Sequence, residues 1–136
     1  SIGSMDFAFK DTGCFAVSGG TGPRNAQKVV CLCLEEVKKI YREAVTKEEL
    51  ASAREQIRSG MLLGMESSSS RMSRMAECEL YFGEYIPVEY SVRRIMEVTR
   101  DDVQRVAEKY LKDRPVTFAS IGPEKKFEPY LCGLAF

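Results

Sequence analysis

The 136-residue chain carries twenty basic and twenty acidic side chains and no formal net charge. No global field therefore gathers nucleic acid or an anionic membrane, both of which call for a basic face. The length suits one domain or a large piece of one, not two. No apolar run approaches the ~20 residues that cross a bilayer, and no basic-then-apolar leader opens the sequence, so it reads as a soluble protein.

Cysteines stand at 14, 31, 33, 78 and 132. The number is odd and no Cys-x-x-Cys pair occurs, so a disulfide scaffold is not expected and the thiols read as structural and reduced. That usage fits a cytosol-like compartment. Cys31 and Cys33 fall two apart on a predicted helix, with side chains about 200° apart, and cannot share a metal unaided. The alternative for these two is that they are incidental thiols open to oxidation.

Residues 2–9 and 14–18 are short β-tolerant runs joined by Lys10-Asp11-Thr12-Gly13, a polar connection with glycine last, as a hairpin turn needs. Phe7 and Phe9 share a strand face at period two, as do Phe15 and Val17, so the hairpin is expected to set one apolar side against helices. The chain opens inside a strand with no preceding cap, which makes Ser1 read as a cut end.

Ser18-Gly19-Gly20-Thr21-Gly22-Pro23 then turns strand into helix. Glycine-rich turns of this kind can expose backbone N–H groups to phosphates. Here the Walker spacing fails and so does GxGxxG, which leaves a plain turn with Thr21 or Asn25 near the helix start and Pro23 in the first turn.

From 27 to 43 the positions Val30, Cys33/Leu34, Val37 and Ile40/Tyr41 mark one stripe of an amphipathic helix. Thr46-Lys47-Glu48-Glu49 is a capping box that starts a second helix. Its expected stripe is Leu50, Ala53, Ile57, Met61 and Gly64/Met65, and Gly60 and Gly64 either admit a close neighbour or weaken the helix by roughly 1 kcal/mol each. The serine cluster at 67–70 ends or kinks that helix and caps the next. The third helix carries Met72, Met75/Ala76, Glu79/Leu80 and Phe82 inward, with Arg71 and Arg74 partly exposed, and stops at Gly83. Met65, Met72 and Met75 read as core at this spacing rather than as an adaptable binding surface.

Pro87 opens a short helix over 88–96 with Val92 and Ile95/Met96 inward. Thr99 caps the last helix, where Asp101 and Asp102 sit at the positive end of the dipole and Val103, Val106/Ala107 and Tyr110 form the stripe. Pro115 ends it, and residues 116–121 read as a third strand closed by Gly122-Pro123. Residues 124–136 read as a mobile tail in which Phe127, Tyr130 and Leu131 can pack back.

No catalytic, metal-binding or substrate-binding residue is assignable from this sequence. There is no histidine, which removes a zinc peptidase's ligand set and the base of a serine nucleophile. Neither Glu35-Glu36 nor Glu48-Glu49 has a second helical ligand at i, i+4, so both read as solvated helix faces.

The order and spacing of Ser69-Ser70-Arg71-Met72, Leu80-Tyr81-Phe82-Gly83, Pro87, Glu97-Val98-Thr99, Asp102-Val103, Ala107, Tyr110 and Leu111 resemble the carboxy-terminal part of the pitrilysin/insulinase-type zinc peptidases. The likeness is to the short bacterial members and to mitochondrial processing peptidase, and it covers nearly the whole chain through Pro123. Those enzymes pair a domain bearing a His-x-x-Glu-His zinc helix with a similar domain that lacks it. The resemblance implies that residues 1–123 are the C-terminal part of the second, inactive domain. It also implies an α+β fold with an antiparallel sheet covered on one face by helices, and makes the turn before Pro23 architectural.

In the relatives the hairpin holding Asp11-Thr12-Gly13 follows an Arg-x-x-x-Gly-x-x-Tyr segment that reaches the substrate backbone, and Ser1 would fall just after its tyrosine. Zinc would then belong to the catalytic half of the parent and to none of these residues. The implied function is to shape the chamber that encloses a peptide substrate, and to contact the missing N-terminal half or a zinc-binding domain or subunit, with a homo-oligomer also open. Alternatives are a non-proteolytic core subunit of the kind this family supplies to a respiratory complex, and a stand-alone interaction module.

Overall fold

A computed structural model describes residues 1–123 and Glu128, and the expected tail packing of Phe127, Tyr130 and Leu131 lies outside the described residues. The fold is α+β: a two-stranded antiparallel hairpin of β1 (Ile2–Ala8) and β2 (Gly13–Gly19), then helices α1 (Ala26–Arg42), α2 (Lys47–Gly64), α3 (Ser68–Phe82), α4 (Val88–Glu97) and α5 (Arg100–Tyr110). The chain divides into two compact units, one formed by residues 1–43 and 106–136 and the other by residues 44–105.

In the first unit the hairpin closes as the sequence predicts. Phe9 donates its N–H to the Thr12 carbonyl at 2.8 Å. Gly13 follows because a Cβ there would meet the Phe7 carbonyl oxygen at 2.8 Å. The register, however, pairs Phe7 with Cys14, Asp6 with Phe15 and Ser4 with Val17. Directly paired residues share a face, so Phe7 and Phe15 lie on opposite sides, and the expectation of a single apolar side gives way to a hairpin apolar on both. One face, with Ile2, Phe15 and Val17, lines a groove of about 480 Å³ together with Val29, Leu32, Cys33, Val37 and Ile40 of α1. The other face carries Met5 and Phe7, which are 41% and 44% exposed.

The glycine turn runs through a single 3-10 turn, Pro23–Asn25, before α1. Asn25 is the N-cap of α1 but makes no side-chain capping bond. The expected stripe of α1 is the half-buried one: Val30, Cys33, Leu34, Val37, Ile40 and Tyr41 all lie between core and surface. Residues 116–121 form no strand. A β-strand exists only through a ladder partner, and among the described residues β1 and β2 pair with each other alone.

In the second unit, local chemistry sets the helix ends. Thr46 accepts from Glu49 N–H at 3.1 Å while Glu49 reaches back to Thr46 N–H at 2.8 Å, completing the capping box. Ser67 caps α3 weakly, at 3.4 Å from Ser70 N–H. Gly83 terminates α3 in the left-handed region at φ 72°. Thr99 and Asp102 exchange the same reciprocal bonds at the head of α5, at 3.0 and 3.1 Å.

The helix faces differ from the periodic reading. In α2 Leu50, Met61 and Gly64, with Met65 at the C-cap, are half-buried as expected, but so are Arg54, Arg58 and Ser59, while Ala53 and Ile57 are exposed. In α3 the expected inward stripe is the outward one: Met72, Met75, Leu80 and Phe82 are all exposed, Phe82 at 66%, whereas Arg74 is half-buried and Cys78 is buried. A helix buries the face that meets a neighbour, and long side chains such as arginine can lay their stems inward if the head finds an acceptor. Gly60 and Gly64 have nothing within 4 Å of an added Cβ, so neither admits a close neighbour among the described residues. Cys78 and Ala107 are the only buried apolar residues among those described.

Candidate functional site

Several acid–base groups among the described residues are engaged in local structure. Glu36, half of the first carboxylate pair, bonds Lys39 at 2.6 Å on an exposed helix face. Glu49, half of the second, is spent on the capping box. Its carboxyl is held below the usual range, first by the backbone N–H of Thr46 and then by the Thr46 side chain. Asp102 is held well below it by the Thr99 hydroxyl, Arg105 and the Thr99 backbone. A general acid needs the opposite shift, upward toward the working pH, so both carboxylates are fitted to cap helices rather than to move protons.

Zinc, the metal implied by the family resemblance, finds no fit here. The chain has no imidazole, and among the described residues no group of three or more His, Cys, Asp or Glu side chains is placed to hold a metal ion. Cys14 is exposed, Cys33 half-buried and Cys78 buried, all three as free thiols. Cys31, by contrast, is disulfide-bonded. This corrects the reduced-thiol expectation at that position. Sequence spacing shows nothing of which sulfurs the fold brings to bonding distance, and the thiol argument for a cytosol-like compartment loses its footing.

The glycine-rich turn does not present a phosphate cradle. Gly20 N–H donates to the Ser1 carbonyl and Asn25 N–H to that of Gly22, both at 2.9 Å, so these amides are occupied by the backbone. A second groove, of about 330 Å³, lies beside the serine cluster, where Met61, Ser69, Ser70, Ser73, Arg74 and Glu77 meet. Its one cation is turned to architecture: an Arg74 guanidinium nitrogen donates to the Ile86 carbonyl at 3.0 Å and the Ser91 hydroxyl at 2.9 Å.

Arg74 belongs to a set that sequence reasoning missed. Arg54 donates to the Val98 carbonyl and Arg100 to that of Val45, so three arginines hold the ends of loops and helices in the second unit. The available signal was an arginine at i, i+4 from an apolar inward residue, Leu50 to Arg54 and Arg74 to Cys78.

Among the described residues, the surface carries exposed apolar faces. They comprise the Met5/Phe7 face of the hairpin in the first unit and the exposed Met72, Met75 and Phe82 of α3 in the second, with Leu80 exposed on another side of that helix. No described helix is long and apolar enough to cross a membrane.

Comparison with known proteins assigns this pattern to a context. Residues 1–57 match the family described as the Peptidase M16 inactive domain. The chain is 34% identical over 125 residues to an uncharacterized zinc protease of Streptomyces coelicolor, covering 92% of this chain and 27% of that protein. It is 33% identical to an uncharacterized zinc protease of Mycobacterium tuberculosis, over 85% of this chain and 26% of that one. A probable mitochondrial-processing peptidase subunit beta of Arabidopsis thaliana is 30% identical over 96% of the chain, which spans 24% of it. The chain thus spans about a quarter of the length of these relatives.

Proposed function

Because this chain belongs to the M16 peptidases as a stretch of their inactive domain, we propose that it is the non-catalytic C-terminal portion of a zinc-dependent metalloendopeptidase. In this role it helps to form the chamber that encloses a peptide and carries contacts to the domain or subunit that holds the metal. Zinc in that other half supplies an activated water for peptide hydrolysis. The residues here supply shape and closure.

The observation that carries the reading is the hairpin register. A strand pair buried on one face only should alternate apolar and polar, whereas strands covered on both faces are apolar on both. With Phe7 opposite Cys14 and Phe15 opposite Asp6, this hairpin has the second pattern. One of its faces lines a groove with α1, and its outer edges pair with nothing among the described residues. Such edges and faces call for further protein.

Mixing the purified chain with the zinc-bearing portion of the Streptomyces relative tests the proposal. The expected result is a one-to-one complex by light scattering, with a melting temperature above that of either part, as mass action requires when a partner binds the folded state. Two separate species with unchanged melting would overturn it. A stable complex that cleaves no peptide would favour a non-proteolytic core subunit instead.

A further inference from the structure

We draw no further inference here: the strongest candidate, the outer apolar face of the β1–β2 hairpin carrying Met5 and Phe7, carries nothing because nothing in the structure shows what covers it.

Discussion

Arg74 donates to the Ser91 hydroxyl at 2.9 Å, and the same nitrogen reaches the Ile86 carbonyl at 3.0 Å, so one guanidinium fixes α3 to the entry and first turns of α4. Four residues further along α3 lies Cys78, its one buried side chain, while Phe82 at the end of the helix is 66% exposed. The energetic weight of α3 thus lies on its arginine face.

Arg74→Ala should therefore cost about 1.5–3 kcal/mol, the range for a part-buried hydrogen bond from a charged donor. Phe82→Ala should stay within about 0.5 kcal/mol, as exposed substitutions do. Urea melts of the two variants decide the matter. A larger loss from Phe82→Ala would return the methionine–phenylalanine stripe to the core.

Two glycine substitutions should have opposite signs. Gly83 holds φ 72° at the C-cap of α3, where a Cβ meets the left-handed penalty, so Gly83→Ala should destabilise by about 1–2 kcal/mol. Gly60 lies inside α2 with nothing within 4 Å of an added Cβ, and Gly60→Ala should stabilise by up to about 1 kcal/mol through helix propensity. Thermal melts followed by circular dichroism distinguish the two. A loss at Gly60 would mean that a neighbour does approach α2 there.

Acid should weaken the second unit. Glu49 and Asp102 both have folded-state pKa values depressed by their capping bonds. Their stabilisation is complete above the unfolded carboxyl values of about 4 and is lost as pH falls through the lower folded values. Unfolding free energy should then decline steadily on acidification below that range, and Thr99→Ala should flatten the decline. Thr46→Ala should in addition cost about 1 kcal/mol at neutral pH, the usual loss for an N-cap. A stability that rises on acidification would contradict the assignment of these groups as caps.

What the sequence showed and what it hid divide along the range of the interactions. The starts at Thr46, Ser67 and Thr99 and the stop at Gly83 were legible because each depends on residues within one turn. The register of the hairpin was not, since Phe7 and Phe15 each show correct period-two spacing and only the pairing decides which of them share a side. The face of α3, and the middle of the α2 stripe at Ala53 and Ile57, differ from the periodic pattern for the same reason. A methionine–leucine–phenylalanine stripe says that a helix has an apolar side, but the neighbours decide which side turns inward, and Arg54 and Arg74 took those places. Residues 116–121 have strand composition yet no ladder partner among the described residues. The absence of the family's zinc-motif histidines is read directly from the sequence.

The exposed apolar faces should make the chain self-associate. Met5 and Phe7 on the hairpin, and Met72, Met75 and Leu80 on α3, are exposed, and open strand edges beside apolar surface recruit further chains. Light scattering over a concentration series should show mass rising with concentration, and Met5→Lys combined with Phe7→Lys should reduce the rise. A monomer at all concentrations that melts cooperatively would favour a self-contained interaction module.

Metal content and peptide turnover of the purified chain test the central claim most directly. A segment of the inactive domain, with no imidazole to bind zinc, should retain no stoichiometric zinc after dialysis and should not cleave a fluorogenic peptide above background, with or without added zinc. Tight zinc at one ion per chain, or turnover that a chelator abolishes, would contradict it.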